Sequence, residues 1–187
     1  MDKKMYFELL EMDRIANGMK RKFPVPFYDY NWIYLRRMRR IEYLQGKQCT
    51  FLSKIRLGYN KFMLRQLSVK CGITLPPGVF GGGVSLYHYG SVICNNKVKA
   101  GKFVTIQSDM NISENVILGD NVYLAPGSKV LANVEIAEGV IIGANAVVTK
   151  SIKEAYTSWA GIPARKISNK GYIDRTLNEI TFRVANH

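Results

Sequence analysis

Histidine and cysteine are scarce in this chain: 2 and 3 among 187 residues. Cys49, Cys71 and Cys94 are odd in number, far apart and form no CxxC pair. They read as reduced thiols of a cytoplasmic protein, neither a disulfide framework nor a zinc site. No run of about 18 apolar residues occurs, so no transmembrane helix is expected. The start, MDKKMYFELLEMDR, lacks the unbroken apolar segment and small-residue cleavage site of a secretory signal. Acidic residues are also few, 14 against 27 Lys and Arg, for a formal net charge of +13. The imbalance is local: residues 1–70 hold 16 Lys and Arg against 6 Asp and Glu, and residues 71–187 hold 11 against 8. Residues 1–70 are therefore either a solvated basic surface or the face that meets an acidic partner, such as anionic lipid, a phosphorylated glycan carrier or an acidic polymer. The charge comes without a nucleic-acid-binding motif, and no nucleic acid is expected as partner.

What the chain has is a period of six. Val98, Val104, Met110, Val116, Val122, Ser128, Val134, Val140, Ala146 and Ile152 form one series. Ala100, Ile106, Ile112, Leu118, Leu124, Val130, Ile136, Ile142 and Val148 form a second, two residues behind. Six fits neither a 3.6-residue helix nor a lone amphipathic strand; it fits a parallel β-helix of hexapeptides. Positions two apart face one side of a strand. The rest of each hexad is turn chemistry, as in Gly119-Asp120-Asn121 and Ala125-Pro126-Gly127. Three hexads close a triangular coil, so residues 18 apart stack, Val98 with Val116 and Val134. One outward column reads Thr105, Tyr123, Ile141, and stacked outward apolar groups place Tyr123 and Ile141 at an expected subunit interface.

Three regions follow: a basic helical region (1–70), the β-helix (71–155) and an exit segment with tail (156–187). In the first, Tyr34, Met38, Ile41 and Leu44 share a helix face, with Arg36, Arg37, Arg39 and Arg40 on the others. Leu52, Ile55, Tyr59, Phe62, Met63 and Leu67 form a second apolar stripe. FPVPF at 23–27 breaks any helix before the first stripe, and Cys71-Gly72 ends the second. The fold class is mainly β with a small helical region. WAGIPARKI leaves the coil after Ile152, and 168–187 is expected to form a short helix.

Two histidines leave one candidate for chemistry, since His187 is terminal and expected to be disordered. His88 lies in GVSLYHYG at the start of the coil. Imidazole is the side chain best matched to general-base work near neutral pH. Extended backward, the hexad parity puts His88 on the inward side, whereas a base must face a cleft. Gly81–Gly83 and Gly90 are where the register can slip.

The hexads, the GVSLYHYGSVICN segment and the closing AGIPARKI resemble the left-handed β-helix acyltransferases, over roughly residues 71–167. The closest branches are the serine acetyltransferases and their relatives in capsule and exopolysaccharide clusters. The resemblance implies a homotrimer that binds acetyl-CoA in the groove between subunits, with a histidine deprotonating the acceptor hydroxyl. His88 stands at the catalytic position. Ala125, Pro126, Gly143 and Ala144 match turns that meet CoA, and Gly161, Pro163, Arg165 and Lys166 match the segment near its nucleotide end. No metal is implied. A γ-type carbonic anhydrase, built on the same coil, needs three histidines for zinc. A nucleotidyltransferase needs a preceding α/β domain.

The chain departs from the serine acetyltransferase pattern in several places. Tyr87 replaces the usual aspartate before the histidine, and Thr74 lies near where an orienting carboxylate is expected. Ile112 runs straight to Val116 without the loop that carries an Arg-His pair, and the long acidic helical domain is replaced by a short basic one. These departures favour a sugar hydroxyl in surface polysaccharide synthesis as the acceptor, with serine as the alternative. A non-catalytic hexapeptide scaffold and a polyanion-binding module remain the non-enzymatic readings. The expected location is the cytoplasm, with residues 1–70 touching the inner face of an anionic membrane.

Overall fold

The structure is a computed structural model that describes residues 1–47 and 50–173. Cys49, His187 and most of the tail expected to be helical lie outside these residues. Three sheets, parallel except at the last strand of the third, form the sides of a triangular coil. The first joins β1 (Ile73–Thr74), β3 (Val92–Cys94), β6 (Met110–Ile112), β9 (Lys129–Val130) and β12 (Val147–Val148). The second joins β4 (Lys99–Ala100), β7 (Ile117–Leu118) and β10 (Glu135–Ile136). The third joins β2 (Ser85–Leu86), β5 (Thr105–Ile106), β8 (Tyr123–Leu124), β11 (Ile141–Ile142), β13 (Ser158–Ala160) and β14 (Arg165–Ser168).

Both hexad series point inward as read from the sequence. Every member is buried except Ala100, which is half-buried. The register is 18 residues through the regular coils: Lys99 pairs with Ile117, Thr105 with Tyr123 and Asn111 with Lys129. Each buried aliphatic side chain contributes about 1.5–3 kcal/mol relative to exposure. At every corner from Phe103 to Asn145 the residue just before the first inward position has a left-handed backbone. These residues are Phe103, Asp109, Asn115, Asn121, Gly127, Asn133, Gly139 and Asn145, with φ between 56° and 76°. That conformation turns the chain from one side to the next, and Asn, Asp and Gly adopt it at least cost.

The coil does not end at Ile152. Ser158 and Trp159 still pair in parallel with Ile141 and Ile142, and only at Gly161 does the chain reverse into the antiparallel β14. Tyr172 then lies on the outer face of the coil, its ring 5.1 Å from that of Tyr123. The interface expected at Tyr123 is thus partly covered by the chain's own C-terminal segment.

Three helices cap the start of the coil: α1 (Lys3–Ala16), α2 (Tyr30–Gln45) and α3 (Phe51–Cys71). Asp2 caps α1 by accepting the Met5 N–H at 2.7 Å, and Gly72, at φ 70°, closes α3. Two sequence expectations change here. Arg39, read as a polar-face residue, is buried: its Nε donates to Asp13 Oδ2 at 2.7 Å and its Nη1 to the Phe80 carbonyl at 2.9 Å. Burial works against its charge, but Asp13 and Glu42 more than offset this and raise its pKa. Asp13 Oδ1 also accepts from Gly83 N at 2.8 Å and Val84 N at 3.1 Å, so one ion pair ties α1, α2 and the first coil together. The Gly81–Gly83 run fits this contact. A Cβ on Gly82 would meet Met12 Sδ of α1 at 2.7 Å, and one on Gly81 would meet the Gly101 carbonyl at 2.7 Å. The second change concerns α3, where Leu52, Ile55, Tyr59 and Phe62 are exposed. Its buried side is Asn60, Leu64, Leu67 and Cys71.

Candidate active site

His88 is exposed, contrary to the inward position that unbroken parity gives. The cause is a local insertion. Leu86 pairs with Ile106, 20 residues on, whereas Val92 pairs with Met110, 18 residues on. The corner between β2 and β3 is therefore two residues longer than the corner above it. A coil of constant register can accommodate extra residues only by pushing them outward, and Gly90, at φ 134°, returns the chain to the stack. The hydroxyls of Tyr87 and Tyr89 donate to the carbonyls of Ala16 at 3.1 Å and Tyr28 at 3.0 Å, pinning the bulge to the helical cap. His88 lies between the two anchors. Among the described residues its imidazole makes no hydrogen bond.

Ala125, Pro126, Gly143, Ala144, Gly161 and Pro163 share this edge of the prism, where the third sheet hands over to the first, while Arg165 and Lys166 lie beside it within the third sheet. Ala125 is buried and Pro126 exposed at one corner; Gly143 is half-buried and Ala144 exposed at the next. Peptide hydrogen bonds join them along the edge: Asn145 N donates to the Pro126 carbonyl at 2.9 Å and Gly143 N to the Trp159 carbonyl at 2.7 Å. The edge stays narrow because little protrudes from it; a Cβ on Gly143 would approach Ala160 Cβ at 3.0 Å. Gly161 and Pro163 are exposed at the last corner. Arg165 and Lys166 follow on β14, both exposed, with Lys166 Nζ paired to the Glu154 carboxylate. The edge therefore carries an exposed imidazole at one end and small-residue turns along its length, with Arg165 and Lys166 beside its far end on β14.

Sequence reasoning missed the two tyrosine anchors and the Asp13–Arg39 tie. YHYG showed aromatics beside the histidine, but nothing in it says where their hydroxyls reach. A cleft of about 570 Å³ beside Arg36, Arg37 and Arg40 lies away from this edge, and another of about 350 Å³ is lined by Tyr87 and Tyr89, the neighbours of His88.

Residues 115–150 match the family described as bacterial transferase hexapeptide (six repeats). A serine acetyltransferase of Staphylococcus epidermidis is 34% identical over 119 residues, 58% of this chain and 55% of that protein. One from Escherichia coli is 29% identical over 119 residues, 56% of this chain and 41% of that protein. The chain thus spans about half the length of the curated relatives it matches. Among solved structures, a serine acetyltransferase in complex with CoA superposes with TM-score 0.71 at 20% identity, covering 88% of this chain and 71% of that one. The Neisseria gonorrhoeae enzyme gives 0.66 at 17% identity, covering 89% and 68%. These likenesses show the fold, a left-handed parallel β-helix with helices at its start. They also correct the acceptor. The relatives are serine acetyltransferases, and a sugar acceptor in polysaccharide synthesis finds no support among them. The sugar expectation rested on missing serine contacts, and missing contacts are no positive feature of a glycan site.

Proposed function

We propose that this chain is an acetyl-CoA-dependent O-acetyltransferase whose acceptor is the hydroxyl of serine, with His88 as general base. The carrying observation is the shared edge, which has an exposed imidazole on an inserted corner and small-residue turns leading from it to Arg165 and Lys166. The 34% identity to a serine acetyltransferase, over 119 residues, supports serine as acceptor. In this reading acetyl-CoA lies along Ala125, Pro126, Gly143 and Ala144. Its nucleotide end rests by Gly161 and Pro163, and Arg165 and Lys166 meet its phosphates, Lys166 exchanging Glu154 for them. His88 takes the proton as the serine oxygen attacks the thioester carbonyl carbon. The C–S bond then breaks, and the proton passes from the imidazolium to the departing thiolate. The products are O-acetylserine and CoA. The edge is open on one side, so a homotrimer is proposed, a second copy supplying the facing wall and a partner for the His88 imidazole.

The test is thiol release from acetyl-CoA with serine, by wild type and His88→Ala, beside CoA binding to each. Base catalysis typically contributes ~10²–10⁴-fold, and a loss of that order with CoA binding retained is expected. Wild-type protein that binds CoA but releases no thiol with serine overturns the acceptor. An unimpaired His88→Ala variant overturns the base.

A further inference from the structure

Arg39 shows what a saturated arginine looks like on α2, spending its donors on Asp13, Glu42 and the carbonyls of Phe80 and Gly81. Its neighbours Arg36, Arg37 and Arg40 are different. Together they line a cleft of about 570 Å³ completed by Tyr6, Phe23 and Asn60 among others. Arg36 donates to the Lys22 carbonyl at 3.2 Å and lies 5.2 Å over the Phe23 ring. Arg37 donates to Asn60 Oδ1 at 2.9 Å and lies 5.4 Å over Tyr59. Arg40 rests against the rings of Tyr6 and Tyr43 at 5.9 and 5.6 Å and makes no side-chain hydrogen bond among the described residues.

A guanidinium held by its face keeps its in-plane N–H donors for something else. Among the described residues no Asp or Glu lines this cleft. Burial pushes the Arg36 pKa down, the mark of a cation taken from water without a counter-charge. Three like charges converge here, and the fold leaves them unneutralised.

We propose that this cleft binds a multiply charged phosphate group, with Arg36, Arg37 and Arg40 as donors and the Tyr6 and Phe23 rings against the organic part of the ligand. Arginine forks match phosphate oxygens in pairs, which favours phosphate over a single carboxylate. The cleft shares no residue with the edge that carries His88, so the proposal stands apart from the transferase reading. Two sources present this chemistry, a soluble organic phosphate and a phospholipid headgroup.

The experiment titrates the full chain with inorganic pyrophosphate by calorimetry. It compares wild type, Arg37→Gln/Arg40→Gln, Arg37→Lys/Arg40→Lys and Arg165→Gln/Lys166→Gln, each checked for an unchanged thermal midpoint. Losing charge-assisted contacts to the Gln pair should weaken binding about tenfold or more. The Lys pair, which keeps charge without the fork, should fall between, and the Arg165/Lys166 variant should retain the binding that the Gln pair loses. Rising salt should weaken the interaction. Sedimentation with phosphatidic acid vesicles, which present a phosphomonoester, but not with phosphatidylcholine, lost in the Gln pair, assigns the headgroup; pyrophosphate binding without sedimentation assigns a soluble phosphate. Absence of pyrophosphate binding in wild type overturns the proposal, as does binding lost only when Arg165 and Lys166 are replaced.

Discussion

Asn145 sits exposed at a corner with φ 56°. Asparagine tolerates this left-handed backbone, and an alanine there pays a steric penalty of about 1–2 kcal/mol. Asn145→Ala is expected to lower stability by that order, and Asn145→Gly by clearly less; urea midpoints of the two variants check it. Cys94 makes a second residue-scale prediction. Burial pushes its thiol from 9.0 up to about 12, because the thiolate would lose its hydration in the coil. Below pH 9 both folded and unfolded chains keep the proton, and the stabilisation is whole. Between about 9 and 12 only the unfolded chain releases it, so stability falls as pH rises through that window. Denaturation midpoints of wild type and Cys94→Ala should converge across it, and parallel curves would remove this thiol from the account. The left-handed column was half legible in the sequence. The Asn, Asp and Gly positions stood out as turn chemistry, while Phe103 at the same position gave no such sign.

At the scale of elements, helix periodicity tells which residues share a face, not which face finds a partner. Arg39 looked like one more polar-face arginine because its partner, Asp13, is 26 residues earlier on another helix. Of the apolar stripe Leu52, Ile55, Tyr59, Phe62, Met63 and Leu67, only Leu67 is buried, and it reaches the core beside Leu64 and Cys71, which lay outside the stripe. Removing one member of a buried ion pair strands the other charge, at about 3–5 kcal/mol. Asp13→Asn or Arg39→Met should each destabilise the chain by that order, and the double variant by less than the sum of the two. A denaturant series on all three checks it; simple additivity would mean that the two side chains act independently.

For the whole molecule, the strict hexad let the coil be read directly, since an uninterrupted period leaves one way to stack. It failed where the period itself breaks. Two residues inserted before Val92 turned His88 from an inward to an outward position, and sequence parity cannot register a bulge that a glycine hides. The residues expected to hold CoA were legible as a set of turns through their resemblance to a family. Their common edge was implied by the period of 18, since Pro126 and Ala144 occupy equivalent corners. The trimer proposed for this fold predicts three chain masses at sedimentation equilibrium. Ile141→Asp, on the outward column, should reduce that mass, and an unchanged value would move the interface elsewhere.

The edge is also a ruler. Each coil adds one strand spacing of ~4.8 Å, so four steps separate the His88 corner from the Gly161 corner by roughly 19 Å. That separation comes only in whole steps. Excising residues 113–130, one full coil in register, should leave the imidazole and the Gly161 turn each intact but one step closer. Under the proposed reading the nucleotide end would still bind while the thioester overshot His88. The reach between the two halves of the site is a count of turns, set by chain length rather than by any one side chain.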